Sequence, residues 1–116
     1  MTIRRLQPHG RLSGAVIHGS TVYLAGQVAD DPSLDTEGQT ADVLRQMDAL
    51  LAEAGTDKSR LLFCQVFLAE MADVAAMNRA WDAWYDRANP PARATVEAKL
   101  VDPRWRVEIT AIAALV

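Results

Sequence analysis

The sequence predicts an α+β fold, a mixed β-sheet with two helices packed on one of its faces. Three observations predict it. Two stretches, near 36–54 and 73–87, carry apolar residues at helical spacing, while five or six others alternate or run apolar over strand lengths. Their order is β-β-α-β-α-β-β with room for one more N-terminal strand, which mixes the two element types along one chain. Finally, 116 residues make a single domain, 1–116, and two helices are too few to cover both faces of such a sheet. The second face is left for a partner, so oligomerisation is expected.

Each element has its own justification. Ile-Arg-Arg-Leu-Gln at 3–7 fits a short edge strand. Ala15 to Gly19 and Thr21 to Ala29 fit two strands around a turn at Gly19-Ser20. Ala29 to Glu37 is a loop, because Pro32 has no N–H to give to a ladder. A helix is expected from Thr36 to Ala54, where Val43, Leu44, Met47, Leu50, Leu51 and Ala54 recur three, four and seven apart. Gly55 suits the left-handed residue that follows a helix.

Arg60 to Ala69 is apolar on both parities, the pattern of a central strand or of a strand at an oligomer interface. Asp73 is the expected cap of a second helix reaching Arg87, with a stripe of Val74, Met77, Ala80, Trp81, Trp84 and Ala88. Asn89-Pro90-Pro91 ends it. Ala92 to Leu100 and Trp105 to Ala114 are the last strands, with Asp102-Pro103 between them. If they form a hairpin with Leu100 opposite Trp105, Arg93 and Glu108 share a face, roughly 13 Å apart.

Composition narrows the function. Half the residues are apolar and 23% are charged, an ordinary globular balance. A net charge of -3 has the wrong sign for phosphate-backbone binding and argues against a nucleic-acid partner. One cysteine, Cys64, excludes an intrachain disulfide, and the two histidines, His9 and His18, leave little for a metal site. MTIRRLQPHG lacks the apolar core of a signal peptide, and no run approaches a membrane span, so a soluble cytoplasmic protein is expected.

No phosphate loop, nucleophile elbow or metal-binding spacing is present, so a site has to be built from Arg, Glu, backbone and small polar groups. Arg93 follows two prolines on a strand whose alternation puts Arg93, Thr95, Glu97 and Lys99 on one face. Its guanidinium fork suits a carboxylate, and the plainer reading is a surface arginine or a pair with Glu97. Glu108 interrupts a mostly apolar strand. It is either a solvent-facing residue between Arg106 and Thr110 or a half-buried group able to position water. Cys64 reads as core, His9 and His18 as structural, and Trp81 and Trp84 as packing. Asn78 is either solvated or a bridge near a pocket.

AGQV near Gly26, PPARATVEA around Arg93 and RVEITAIA around Glu108 together resemble the Rid family, also called YjgF/YER057c/UK114, of reactive-intermediate deaminases. AAMNRAWDAWY resembles its short YoaB-like bacterial branch, and the likeness runs from about Val16 to Ala114. The resemblance implies a chorismate-mutase-like fold and a homotrimer with sites between subunits. It implies hydrolysis of 2-iminoacids or their enamine tautomers to 2-oxoacids and ammonia, with no cofactor or metal. The family's carboxylate-binding arginine falls on Arg93, its water-handling glutamate on Glu108, and its helix asparagine on Asn78. Its ligand-approaching backbone falls on Ala25 and Gly26, and its cysteine position on Thr95. The chain departs from the family pattern at several places. A tyrosine is replaced by Leu12 or a neighbour, a serine by Ala25 and a second glutamate by Thr110. A non-catalytic carboxylate-binding or regulatory trimer is the alternative reading. A ribonuclease role, suggested for some relatives, fits the acidic charge least.

Overall fold

The computed structural model describes residues 2–115. Its six strands are β1 (Ile3–His9), β2 (Leu12–His18), β3 (Thr21–Gln27), β4 (Leu61–Leu68), β5 (Ala92–Glu97) and β6 (Val107–Ala114). They form one sheet in the order β1-β2-β3-β6-β4-β5, and two helices, α1 (Thr36–Ala54) and α2 (Val74–Trp84), lie on one face. This is the α+β arrangement expected from the sequence.

Local chemistry sets most boundaries. The Asp35 carboxylate accepts the Gly38 N–H at 2.8 Å and opens α1. Gly55 closes it at φ 92°, with its N–H on the Ala52 carbonyl and the Thr56 N–H on the Leu51 carbonyl. The expectation for α2 needs two corrections. Asp73 makes no capping bond, because a 3-10 turn over Met71–Asp73 leaves it at ψ 5° and not in the extended state a cap requires. Its carboxylate instead accepts from the Thr36 hydroxyl at 2.9 Å and lies 3.7 Å from Arg106. The helix also stops at Trp84, short of Arg87, where Tyr85 turns extended and the Asp86 carboxylate gathers the Ala88 N–H and the Asn89 amide.

The larger correction concerns topology. β5 and β6 do not pair as a hairpin: β4 lies between them, antiparallel to β6 and parallel to β5. A parallel pair needs a crossover, and α2 supplies it. Cys64 therefore has Arg93 on one side and Ala111 on the other, while Phe67 has Val96 and Glu108.

The core fills the space between sheet and helices. Val43, Leu44, Met47 and Leu51 of α1 meet Ile17, Val22, Val66 and Ile109 of the sheet, all of them buried. Each such side chain contributes about 1.5–3 kcal/mol relative to exposure. In β6, Val107, Ile109, Ala111 and Ala113 point into this core, while Glu108, Thr110, Ile112 and Ala114 are half-buried on the far face. Among the described residues no helix covers that far face, and Tyr23, Phe63, Phe67 and Val96 are among its apolar side chains.

One buried polar residue ties the layers together. The Gln39 amide, fully buried, shares its two N–H groups among the carbonyls of Pro32, Leu34 and Arg104 at 3.0–3.1 Å, and its oxygen accepts the Arg106 N–H at 2.8 Å. It joins the loop before α1 to the segment that delivers β6. Gln39→Leu keeps the volume but strands these backbone groups. It is expected to lower unfolding free energy by about 3 kcal/mol, read from urea denaturation at fixed protein concentration.

Candidate functional site

Two clusters emerge, one on each face of the sheet. The first is built where Pro90-Pro91 leads into β5. Arg93 sits opposite Cys64, and neighbours in a parallel ladder point the same way, so its side chain lies on the helix face. The guanidinium carbon stands 4.9 Å from the centroid of the Trp81 ring, and Nη1 is 3.8 Å from the Met77 sulfur, a weak acceptor. Among the described residues no carboxylate lies within ion-pair distance of it. Beside it opens a cleft of about 330 Å³, walled by Asn78, Trp81, Asp82 and Tyr85 on the helix side and by Pro90 and Pro91. Thr95 is two residues further along the same face, half-buried, opposite Val66.

The second cluster lies on the other face. The register of β3 on β6 shifts between Leu24, opposite Ala111, and Gln27, opposite Ile109. Ala25 and Gly26 therefore share the place opposite Thr110 and form a bulge. A bulge frees backbone groups from the ladder and bends the strand, which suits a position that meets a ligand. The Gln27 side-chain amide takes the Ala25 carbonyl at 2.9 Å. Glu108 packs directly over Gly26. A Cβ there would lie 2.9 Å from the Glu108 carboxyl carbon and closer still to one oxygen, so no larger residue fits without moving the carboxylate. A cavity of about 230 Å³ runs from Glu108 and Phe67 beneath Lys99, Leu100 and Val101.

The site residues named from sequence thus fall into two groups, Arg93 with Asn78 and Thr95, and Glu108 with Ala25 and Gly26. The expectation that Arg93 and Glu108 share a face is overturned, because it assumed the β5–β6 hairpin. Two strand spacings and three residues along the strands separate them by roughly 14 Å, and their side chains diverge from there. One side chain does more than the sequence indicates. Trp81, taken as packing, is 6% exposed and does pack, but it also lies under Arg93. The signal present in sequence was the Met77, Trp81, Tyr85 spacing of four, which marks one helix stripe without saying what faces it.

His9 and His18 are exposed on the β1–β3 strands. A wider opening, about 560 Å³, lies at the Leu12 and Gly26 end of those strands and includes His9, Gln46 and Trp105. Cys64 is core, as expected.

This architecture, a six-stranded mixed sheet with two helices, is that of the YjgF and L-PSP structures. One of these, a member of the YjgF protein family from Neisseria meningitidis, superposes with a TM-score of 0.97 at 43% identity, over 100% of this chain and 97% of that one. The Endoribonuclease L-PSP family model matches residues 2–115. The chain is 52% identical to a RutC family protein of Haemophilus influenzae, over 97% of this chain and 98% of that protein. It is 44% identical to the RutC family protein YoaB of Escherichia coli, over 99% and 100%. The chain belongs to the YjgF/RutC family.

Burial pushes the Cys64 thiol up to about 12, with the Arg93 charge opposing the shift. At pH 8 almost none of it is thiolate, the reactive form. Labelling of the folded protein by a thiol reagent at pH 8 is expected to run at below about one hundredth of the rate in denaturant, and Arg93→Ala is expected to slow it further.

Proposed function

We propose that the protein hydrolyses reactive 2-iminoacids, or their enamine tautomers, to 2-oxoacids and ammonia. The observation that carries this reading is the Arg93 guanidinium, which has no carboxylate partner among the described residues and is set beside an open cleft with Asn78. A planar fork held this way matches the two oxygens of a carboxylate. Membership of the family supports the class of reaction. The distribution of the other candidates supports a site completed by a second copy. Arg93 is too far from Glu108 to grip the same small molecule within one chain, while the two clusters lie on opposite surfaces.

The chemistry asked of these groups is modest. Arg93 orients the substrate carboxylate, with Thr95 and Asn78 beside it. Water adds to the C=N carbon, and Glu108 accepts one water proton and passes it to the nitrogen to give a carbinolamine; Glu108 then takes the carbinolamine hydroxyl proton and delivers it to the nitrogen as the C–N bond breaks, the C=O bond forms and ammonia leaves. Backbone groups of the Ala25-Gly26 bulge line the path of the reacting atoms. The products are the 2-oxoacid and ammonia, and no redox step is involved.

The test is release of 2-oxoacid from freshly generated 2-iminobutanoate and 2-iminopropanoate, corrected for spontaneous hydrolysis. Arg93→Lys keeps the charge and loses the fork, and is expected to weaken 2-oxobutanoate binding by about 2–5 kcal/mol. Glu108→Gln is expected to bind normally and to lose about 10²-fold in kcat. Wild-type protein with no rate above the spontaneous one, yet with binding intact, would replace this reading by a carboxylate-binding one.

A closed homotrimer is proposed with it. Support comes from the bare apolar face, where Tyr23 is 47% and Val96 43% exposed, and from the divided site. Sedimentation equilibrium is expected to give three times the chain mass at micromolar concentration. A monomer throughout would defeat the assembly and the shared site together.

A further inference from the structure

We propose that Trp81 is the positioning residue for Arg93: its ring fixes the guanidinium while leaving the nitrogen fork open for the ligand. The inference rests on the carboxylate-binding reading of Arg93 given above and adds how that arginine is held.

An exposed arginine on an edge strand is ordinarily either a mobile side chain or one fixed by a carboxylate. Arg93 is neither. Its guanidinium carbon is 4.9 Å from the centroid of the Trp81 ring, and Trp81 is itself 6% exposed and packed in the core. The ring belongs to a longer run of contacts. Trp84 lies 5.5 Å from it, and Tyr85 lies 6.2 Å away at an interplanar angle of 18°. Arg87 covers Tyr85 at 5.3 Å. Arg93 thus leans on the central ring of an aromatic cluster.

The chemistry of that contact differs from an ion pair. A ring attracts a cation through its face and takes none of the in-plane N–H directions. A carboxylate partner would occupy those directions, and a ligand would first have to displace it. The Met77 sulfur at 3.8 Å is too weak an acceptor to compete. Aromatic support therefore removes conformational freedom from the guanidinium in advance and keeps its strongest donors available.

The experiment has a ligand-free arm and a ligand arm. In the ¹H–¹⁵N spectrum, the Arg93 Nε–Hε signal, assigned by its loss in Arg93→Lys, is expected upfield from ring current. That displacement should vanish in Trp81→Leu and persist in Trp84→Leu, the control that removes an equally large ring not touching Arg93. For 2-oxobutanoate, Trp81→Leu is expected to bind about tenfold more weakly, Trp81→Phe about threefold, and Trp84→Leu as the wild type does. If Trp81→Leu fails to fold, the Phe variant carries the ligand arm.

Wild-type affinity in the Trp81 variants, or equal losses in Trp81→Leu and Trp84→Leu, would overturn the proposal by reducing Trp81 to packing. An undisplaced Arg93 signal in the wild type would overturn it as well. A wild type that binds no 2-oxobutanoate would instead defeat the carboxylate reading of Arg93, and the Nε–Hε displacement would then decide the aromatic contact alone.

Discussion

The register of β4 decides where every candidate residue points. This strand pairs on both edges, with β6 antiparallel and β5 parallel, so its alternation is imposed on both neighbours. Cys64, Val66 and Leu68 face the helices and carry Arg93, Thr95 and Glu97 with them. Phe63, Gln65 and Phe67 face the other way and take Glu108 and Thr110 along. A slip of one residue would exchange the two sets and bury Glu108 in the core, which the hydrophobic cost forbids. The apolar character of β4 on both parities follows from this position.

Helix α2 serves two surfaces with one amphipathic pattern. Met77, Ala80 and Trp81 close the core, and the edge of that same stripe, continuing to Tyr85, forms the wall of the Arg93 cleft. The cleft is therefore rigid on its helix side because it is continuous with the core. Gln39 does the corresponding work at the opposite end, holding the segment from Arg104 to Arg106 that sets the start of β6, one residue before Glu108. Both clusters thus rest on buried contacts rather than on exposed loops.

Much of this was legible in the sequence. The α1 boundaries, the Gly55 stop, the turn after β2 and the burial of Cys64 all follow from local patterns, and local patterns are what a single sequence exposes. The individual candidates could also be named. Their grouping could not. Strand order is a non-local property, and the nine residues between β5 and β6 are compatible with a hairpin as well as with the longer path observed. The error in face followed from that choice alone. The Asp73 cap was misjudged because the residue type fits and only the backbone angle does not. The Arg93–Trp81 contact joins residues twelve apart through a crossover, and neither position signals the other.

The two faces of the sheet also bear on inheritance. Damage at Arg93 leaves the Glu108 surface whole, and damage at Glu108 leaves the Arg93 surface whole. In a ring of copies that form their sites between neighbours, two defective alleles expressed together would each lend the other its intact surface. At the junction where those surfaces meet, one complete site is rebuilt from two inactive chains. With the proposed assembly, the two faces of one sheet would turn a pair of recessive lesions into complementing ones.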